Sequence, residues 1–189
     1  MLNRAPFEGE HEAVESARGN NPEAVGWLYE LYFDRLYRYC YLKLGDATEA
    51  EDLVEQVFLK MIESISAFEW QGSTFAAWLY RIAHNLIIDK HRRDTRRPQV
   101  PLEPMSDTLP SEHDDPHRLA EQSDLREHLM ASLANLTDLQ AQVIALKFGS
   151  ELSNMEVAAI LNRTEGSIKS LQHSALDNLR KIMSTKGYP

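Results

Sequence analysis

Residues 169–174 contain short or hydrogen-bonding side chains that suit recognition of a polar polymer: Lys169, Ser170, Gln172, His173 and Ser174. Apolar residues recur every three or four positions through the same stretch, at Ile168, Leu171, Ala175, Leu179 and Ile182. This spacing predicts one helix with a buried apolar stripe and the polar side chains outside it. Side chains that donate and accept hydrogen bonds on a helix can read base edges in the major groove of DNA.

A shorter helix is predicted immediately before this one. Ser153 followed by Glu156 is the pattern of a capping box, Asn162 fits a helix end, and Thr164 can cap the second helix. The apolar face of the shorter helix contains Met155, Val157, Ala158, Ile160 and Leu161. Two helices joined by a tight turn indicate a helix-turn-helix, which places its second helix in the major groove. An ordinary helical hairpin with a solvated polar face fits the same residues.

A basic cluster lies within eight positions: Lys90, Arg92, Arg93, Arg96 and Arg97. The whole chain has a formal net charge of -9. Its acidic excess is concentrated in residues 1–24 and 98–124, so the total charge does not exclude a nucleic-acid partner.

Catalytic and metal-binding patterns are weak. His113 and His117 have a zinc-ligand spacing, but Pro116 interrupts the helix that this spacing needs. The single cysteine, Cys40, lies in an aromatic-rich helical pattern and is predicted to be a core residue, which suits a reducing cytoplasm. No glycine-rich phosphate loop and no run of about 18 apolar residues occurs. We therefore expect a cytoplasmic protein that is not an enzyme, has no cofactor or metal and does not insert into a membrane.

Three helices are predicted between residues 23 and 97. The first covers 23–44 and ends at Gly45, Asp46 with Glu49 opens the second, and Ser73 opens the third, which ends in the basic cluster. Their apolar faces contain Val25, Leu28, Tyr32, Leu36, Tyr39 and Leu42 in the first, Ala50, Leu53, Val54, Val57, Phe58, Met61, Ile62 and Ile65 in the second, and Phe75, Trp78, Leu79, Ile82, Ala83 and Leu86 in the third.

Residues 98–124 hold five of the eight prolines, seven acidic residues and one arginine, a composition that predicts a flexible linker. Residues 1–22 are predicted to be an acidic tail. A second lobe begins near Leu125, with Leu129 and Leu133 on one helix and a capping box from Thr137 to Gln140 opening the next, which Gly149 ends. The fold class is therefore all-α: two small helical domains, 23–97 and 125–189, joined by an acidic proline-rich linker, the second with the helix-turn-helix.

This order of elements resembles the sigma factors of bacterial RNA polymerase, in the extracytoplasmic-function (ECF) group. Residues 46–60 resemble the helix that binds the polymerase clamp, 73–93 are similar to the helix that reads the minus-ten promoter element, and the second lobe is similar to the minus-thirty-five reader. The resemblance implies an alternative sigma factor that directs promoter recognition and transcription initiation. Its implied partners are core RNA polymerase (clamp coiled coil and flap) and promoter DNA, with an anti-sigma factor as a candidate.

The resemblance assigns residues to three surfaces. The polymerase surface contains Asp52, Leu53, Glu55 and Gln56. The minus-ten surface contains Trp70, Gln71, Gly72, Asn85, Arg92, Arg93, Arg96 and Arg97. The minus-thirty-five surface contains Glu165, Gly166, Ser167, Lys169, Ser170, Gln172, His173 and Ser174. An aromatic ring such as that of Trp70 can stack a flipped base, and the arginines can contact phosphates.

Other interpretations stay open at this point. Trp70 can simply fill the core of its lobe, the arginines can form a solvated helix end, and the acidic side chains of the polymerase surface can form a solvated face. The family often has arginine at the positions of Leu171, Ser174 and Leu176, so an unusual promoter sequence is expected. A helix-turn-helix regulator that is not a polymerase subunit, or a helical interaction adaptor, also fits part of the chain.

Overall fold

The structure, a computed structural model, describes residues 7–70, 74–94, 131–150 and 152–185, with side chains through residue 182. Its regular elements are helices, and the described segments contain no strand. This confirms the all-α fold class with two helical domains. The predicted linker 98–124 and the positions Leu125 and Leu129 lie outside the described residues.

The first helix, α1 (Glu10–Arg18), lies in sequence that the charge pattern predicts to be an acidic tail. It buries Ala13, Val14 and Ala17 and packs against α2 (Pro22–Leu44). These small side chains follow helical spacing and form a narrow contact stripe. That stripe has no large apolar residue, so the acidic composition of residues 1–22 does not reveal a helix that belongs to the first lobe.

The second helix, α2, agrees with the helix predicted over 23–44. The Asn21 side chain accepts a hydrogen bond from the Glu23 amide at 3.0 Å, and Gly45 ends the helix with a φ of 76°. This left-handed conformation is open to glycine without strain. Most of the predicted face is buried, at Leu28, Tyr32, Leu36 and Tyr39, with Val25 and Leu42 packed beside the core.

The third helix, α3 (Ala47–Ser64), starts as predicted, since the Asp46 carboxylate accepts a hydrogen bond from the Glu49 amide at 2.8 Å. A single 3-10 turn, Ile65–Ala67, follows it. The prediction that Ile62 is buried is wrong, because its side chain is 48% exposed. Ile62 follows Phe58 by four residues, but helical spacing rotates it to the side of α3 that carries Glu55 and Leu59.

The fourth helix, α4 (Phe75–Asp94), begins one residue after Thr74, whose hydroxyl accepts a hydrogen bond from the Ala77 amide at 3.2 Å. Thr74 therefore provides a cap, while the predicted start, Ser73, lies outside the described residues. The predicted inward side chains are buried at Phe75, Leu79, Ala83 and Leu86 and half-buried at Trp78 and Ile82.

The second lobe contains α5 (Asp138–Ile144), which continues through a π-helical turn, Ala145–Gly149, and then α6 (Asn154–Leu161) and α7 (Glu165–Thr185). Both predicted capping boxes are present, at Thr137 with Gln140 and at Ser153 with Glu156. Asn162 ends α6 with a φ of 52°, as predicted. The prediction that Met155 is buried is wrong: its side chain is 70% exposed.

The two lobes pack directly on each other. The main buried cluster joins Leu36 and Tyr80 of the first lobe to Val157, Ile160 and Ile168 of the second. The α2 helix contacts the turn 145–149, and α4 contacts α6. A smaller cluster inside the second lobe contains Leu133, Leu136, Ile144 and Ala175. We refer to this contact between the lobes as the closed arrangement.

Candidate nucleic-acid interface

The helix-turn-helix exposes the amino-terminal end of α7. The Thr164 hydroxyl accepts a hydrogen bond from the Ser167 amide at 3.2 Å, which confirms the predicted cap. Glu165 and Gly166 are exposed beside it. The positive end of a helix dipole attracts phosphate, and Lys169 adds a cation. Lys169 pairs with Glu165 at 2.8 Å, but both side chains are exposed, so the pair is weak enough to exchange for a phosphate.

The outward face of α7 contains Ser170 and His173, both exposed. The Ser170 hydroxyl donates to the Gly166 carbonyl at 3.1 Å, and His173 Nε2 lies 3.4 Å from an Asp177 carboxylate oxygen. Both contacts are within the helix itself, so they leave this face accessible to a base edge.

Ser174 is exposed, but its side chain is bonded to another helix of the lobe. The Ser174 hydroxyl accepts a hydrogen bond from Gln140 Nε2 at 2.9 Å, which ties α7 to α5. Gln172 is half-buried. Of the predicted minus-thirty-five residues, Lys169, Ser170 and His173 are therefore the best placed to meet DNA.

Trp70 is held by α1 as well as by its own loop. Its indole Nε1 donates to Glu15 Oε1 at 2.8 Å, its ring stacks on His11 at 4.7 Å between centroids with planes 14° apart, and Phe68 meets it edge to face at 5.1 Å. The hydrogen bond from Trp70, with that from Arg18, lowers the pKa of Glu15 below its usual value. Trp70 is half-buried, so its ring packs against the core and also reaches the surface. Gln71 and Gly72 lie outside the described residues.

Asn85 is exposed on α4, ten residues after Phe75. At about 1.5 Å per residue it lies about 15 Å along the helix from the end near Trp70. The two side chains are too far apart to hold one base.

Arg92 and Arg93 are exposed at the carboxyl end of α4. Arg92 Nη1 lies 4.0 Å from an Asp89 carboxylate oxygen, and Arg93 Nε donates to the Asp89 carbonyl at 3.3 Å. Both contacts are local and solvent-exposed, so the guanidinium groups can still meet phosphates. Arg96 and Arg97 lie outside the described residues.

A groove between α3 and α4 contains part of the predicted polymerase surface. Asp52 and Gln56 are exposed on its wall, and Leu53, only 3% exposed, lies at its base. Lys90 crosses the groove, with Nζ 2.8 Å from a Glu49 oxygen and 3.6 Å from an Asp94 oxygen. Glu55 does not line this groove: it is exposed on α3 next to Asp52, outside the groove wall.

Sequence reasoning missed four residues of these surfaces. His11 and Glu15 support Trp70 from α1, and the one available signal was the spacing of Ala13 and Ala17 on a helix between acidic residues. Leu59 and Ile62 are 60% and 48% exposed beside Glu55 and form a small apolar stripe on α3.

The described residues contain no group of histidine, cysteine and carboxylate side chains that could hold a metal ion. His113 and His117 lie outside them. None of the helices in the described segments is long and apolar enough to cross a membrane. Cys40 is fully buried, as predicted for a core residue, and burial raises the pKa of its thiol to about 12.

Family comparisons agree with this geometry. Residues 28–97 match the model of Sigma-70 region 2, and residues 132–181 match that of Sigma-70, region 4. The ECF RNA polymerase sigma factor BldN of Streptomyces coelicolor is 34% identical over 172 residues, 91% of this chain and 65% of the relative, so the chain spans just under two thirds of BldN. The ECF RNA polymerase sigma factor SigX of Bacillus subtilis is 31% identical over 164 residues, 85% of this chain and 84% of the relative.

A solved structure shows the same fold. It is the sigma factor RpoE in complex with the anti-sigma factor NepR from Bartonella quintana, with a TM-score of 0.67 and 24% identity over 84% of this chain and 96% of that one. The matches of both helical lobes to sigma regions, together with the identity to SigX over most of both chains, establish the family. The chain belongs to the ECF sigma factors of RNA polymerase, which direct transcription initiation and are not enzymes.

Proposed function

We propose that this sigma factor reads two promoter elements with two separate surfaces while α3 binds core RNA polymerase. The exposure of polar side chains on α7 and of Asn85, Arg92 and Arg93 on α4 carries the proposal, because DNA-reading groups must be accessible on both lobes. On α7, Lys169 and the amides at Glu165, Gly166 and Ser167 bind phosphate. Ser170 and His173 contact base edges in the minus-thirty-five element, with Gln172 and Ser174 at the margin of that surface.

The first lobe holds the unpaired strand of the minus-ten element. Trp70 stacks or contacts one exposed base, with the neighbouring Gln71 and Gly72 in the same loop, and Asn85 hydrogen-bonds a different base further along α4. Base stacking on an aromatic ring contributes about 1–3 kcal/mol per base. Arg92, Arg93, Arg96 and Arg97 bind the phosphates that follow.

The groove between α3 and α4 is the proposed contact with the clamp coiled coil of the polymerase. Asp52 and Gln56 offer an acceptor and an amide to a helical partner that carries basic or amide groups. Glu55, Leu59 and Ile62 supply an adjoining surface that combines a charge with apolar side chains. The second lobe is the proposed partner of the polymerase flap, and the site of action is the cytoplasm, where core polymerase lies.

An anti-sigma factor is a further proposed partner. The structure of a sigma factor with the same fold is a complex with an anti-sigma factor. An anti-sigma protein that covered either DNA-reading surface or the groove between α3 and α4 would hold this chain inactive.

The roles of Trp70 and Asn85 can be tested by separating promoter opening from polymerase binding. Trp70→Ala and Asn85→Ala should each reduce permanganate reactivity of the minus-ten thymines about tenfold, because each removes a contact to an unpaired base of about 1–3 kcal/mol. Their retention by core polymerase on a size-exclusion column should match wild type. Gln142→Ala, a half-buried polar position on α5, is the control.

Two results would contradict these assignments. If both variants open a promoter as wild type does, the base contacts are wrong; circular dichroism at 222 nm identifies a variant that has simply unfolded. If the isolated chain binds duplex promoter DNA tightly and specifically at physiological salt, the chain acts as an independent regulator rather than through the polymerase.

A further inference from the structure

The interface of the closed arrangement has a close main-chain contact at Gly149. A Cβ atom on Gly149 would lie 3.2 Å from Leu42 Cδ1 and 3.5 Å from Tyr39 Cα. The turn 145–149 of the second lobe therefore rests on the backbone of α2 in the first lobe. This close approach brings the carbonyl groups of Gly149 and Ser150 to the surface of α2.

Arginines of the first lobe donate to these carbonyl groups. Arg35 Nη2 donates to the Ser150 carbonyl at 2.6 Å, and Arg38 Nε donates to the Gly149 carbonyl at 3.4 Å. On α4, Arg81 Nη2 makes a similar contact with the Ala159 carbonyl at 3.3 Å. A neutral carbonyl is a weaker acceptor for a guanidinium group than an anionic oxygen, which arginine can bind with two parallel hydrogen bonds.

Packing on both sides of the interface places Arg35 near the loop that carries Trp70. Thr74, which caps α4 just after that loop, donates to Glu156 Oε1 of the second lobe at 2.6 Å. Burial raises the pKa of Glu156, but hydrogen bonds from Ser153 and Thr74 and, least, the guanidinium charge of Arg35 bring it below its usual value. The Arg35 guanidinium also lies over the Tyr32 ring, 5.7 Å from its centroid, and that ring packs edge to face on Phe75, the first residue of α4 after the base-reading loop.

The closed arrangement is incompatible with simultaneous reading of two promoter elements. Elements about 17 base pairs apart are separated by roughly 60 Å of duplex, at about 3.4 Å per pair. Lobes that share one buried cluster cannot occupy both positions. When the lobes separate, the carbonyl groups of Gly149 and Ser150 and the Glu156 carboxylate leave the surface of α2.

We propose that Arg35 and Arg38 form a binding site for the phosphodiester backbone of the unpaired promoter strand, and that the second lobe covers this site until the lobes separate. The proposal rests on the proposed function, since the strand must reach Trp70. The phosphates take the positions on the guanidinium groups that the two carbonyl oxygens occupy in the closed arrangement. DNA and the second lobe therefore compete for the same side chains, and binding of the strand favours the open form.

The first experiment uses the full chain and a fluorescein-labelled oligothymidylate as the probe. Gly149→Val should push the lobes apart, which small-angle X-ray scattering detects as a larger radius of gyration, and should tighten binding of the probe about tenfold. Gly26→Val is the matched control, because a Cβ on Gly26 of α2 meets nothing within 4 Å. Adding Arg35→Gln and Arg38→Gln to Gly149→Val should remove the gain. It should also reduce the slope of log affinity against log salt by about 1.4, the value for two phosphate contacts on a single strand.

A charge-matched pair on the second lobe, Arg163→Gln with Lys181→Gln, separates this site from general attraction. If that double variant lowers the affinity for the probe as much as the α2 double variant does, total charge governs binding and the proposal is wrong. The proposal is also wrong if Gly149→Val increases the radius of gyration without increasing the affinity for the probe.

The second experiment uses holoenzyme, in which promoter binding separates the lobes without the Gly149 substitution. On a promoter selected from a random library by the wild-type holoenzyme, Arg35→Gln with Arg38→Gln should reduce open complexes about tenfold at 150 mM salt and should leave core binding unchanged. If the wild-type holoenzyme selects no promoter, the proposed function fails. If it selects one and the double variant opens it equally well, only the phosphate site is refuted.

Discussion

At the scale of single residues, the pair Tyr39 and His84 links α2 to α4 inside the first lobe. The Tyr39 hydroxyl lies 3.3 Å from His84 Nδ1, and both residues are buried. Burial raises the pKa of Tyr39, so the phenol stays protonated beside Nδ1. Burial and the nearby Lys43 charge lower the pKa of His84 below its ordinary value of 6.5. Neutral His84 is therefore the form that fits the folded protein.

The His84 shift predicts a loss of stability in mild acid. Below pH 6.5 the unfolded chain binds a proton at His84 that the folded protein does not, so the free energy of unfolding falls as pH decreases until the folded group also titrates. From pH 7.5 to 5.5 the titration of His84 should lower the free energy of unfolding by at most about 1.4 kcal/mol. Urea unfolding at the two pH values measures the loss. His84→Gln should reduce it, whereas His173→Gln, at an exposed position on α7, should not. Equal losses in all three proteins would contradict the assignment.

At the scale of elements, the start of α6 is set by a reciprocal capping box. The Ser153 hydroxyl accepts a hydrogen bond from the Glu156 amide at 3.2 Å, and the Glu156 carboxylate accepts one from the Ser153 amide at 2.7 Å. The same carboxylate accepts the hydrogen bond from Thr74 of the other lobe. One cap therefore both begins the first helix of the helix-turn-helix and joins it to α4.

Ser153→Ala should lower the free energy of unfolding by about 1 kcal/mol, the usual cost of an N-cap serine. The expected change is a lower urea midpoint with an unchanged m-value, because the surface exposed on unfolding stays the same. Ser66→Ala, on the exposed 3-10 turn after α3, is the control and should shift the midpoint little. A Ser153→Ala protein as stable as the control would show that packing of Val157 and Ile160, rather than the cap, determines where α6 begins.

Local signals predicted these elements well because each depends on neighbours in sequence. Asp46 with Glu49, Gly45 and Asn162 mark helix ends through contacts within four residues. The predictions for Ile62 and Met155 failed because helical spacing alone does not say how wide the buried stripe is.

The contacts of the candidate site that the sequence did not predict join residues far apart in the chain. Glu15 reaches Trp70 across 55 positions, and Arg35 reaches Ser150 across 115. Neither contact has a sequence pattern of its own, because both follow from how α1 and the second lobe pack on α2. A base-reading role for Trp70 could be inferred from its loop, but its support by α1 could not.

At the scale of the whole molecule, the segment between the lobes has to span a short distance in the closed arrangement and a long one in the promoter-bound form. The lobes are in contact in the structure, whereas promoter elements about 17 base pairs apart need a separation of roughly 60 Å. The segment 98–124, which lies outside the described residues, must allow both. Its prolines favour extended chain, and its acidic residues suit the basic nucleic-acid channels of a polymerase, although a passive acidic tether has the same composition.

Shortening this segment should separate polymerase binding from initiation. At about 3.4 Å per residue the 27 residues reach about 90 Å, and deleting 12 of them, 103–114, leaves a reach of about 50 Å. The lobes could then no longer occupy both elements, so run-off transcription from a promoter that needs both should fall at least tenfold while core binding persists. Replacing 103–114 with glycine and serine of equal length should preserve the reach and most of the activity. Full activity of the deletion would contradict the stretched geometry, whereas loss of activity in both variants would show that the residues of this segment matter beyond their length.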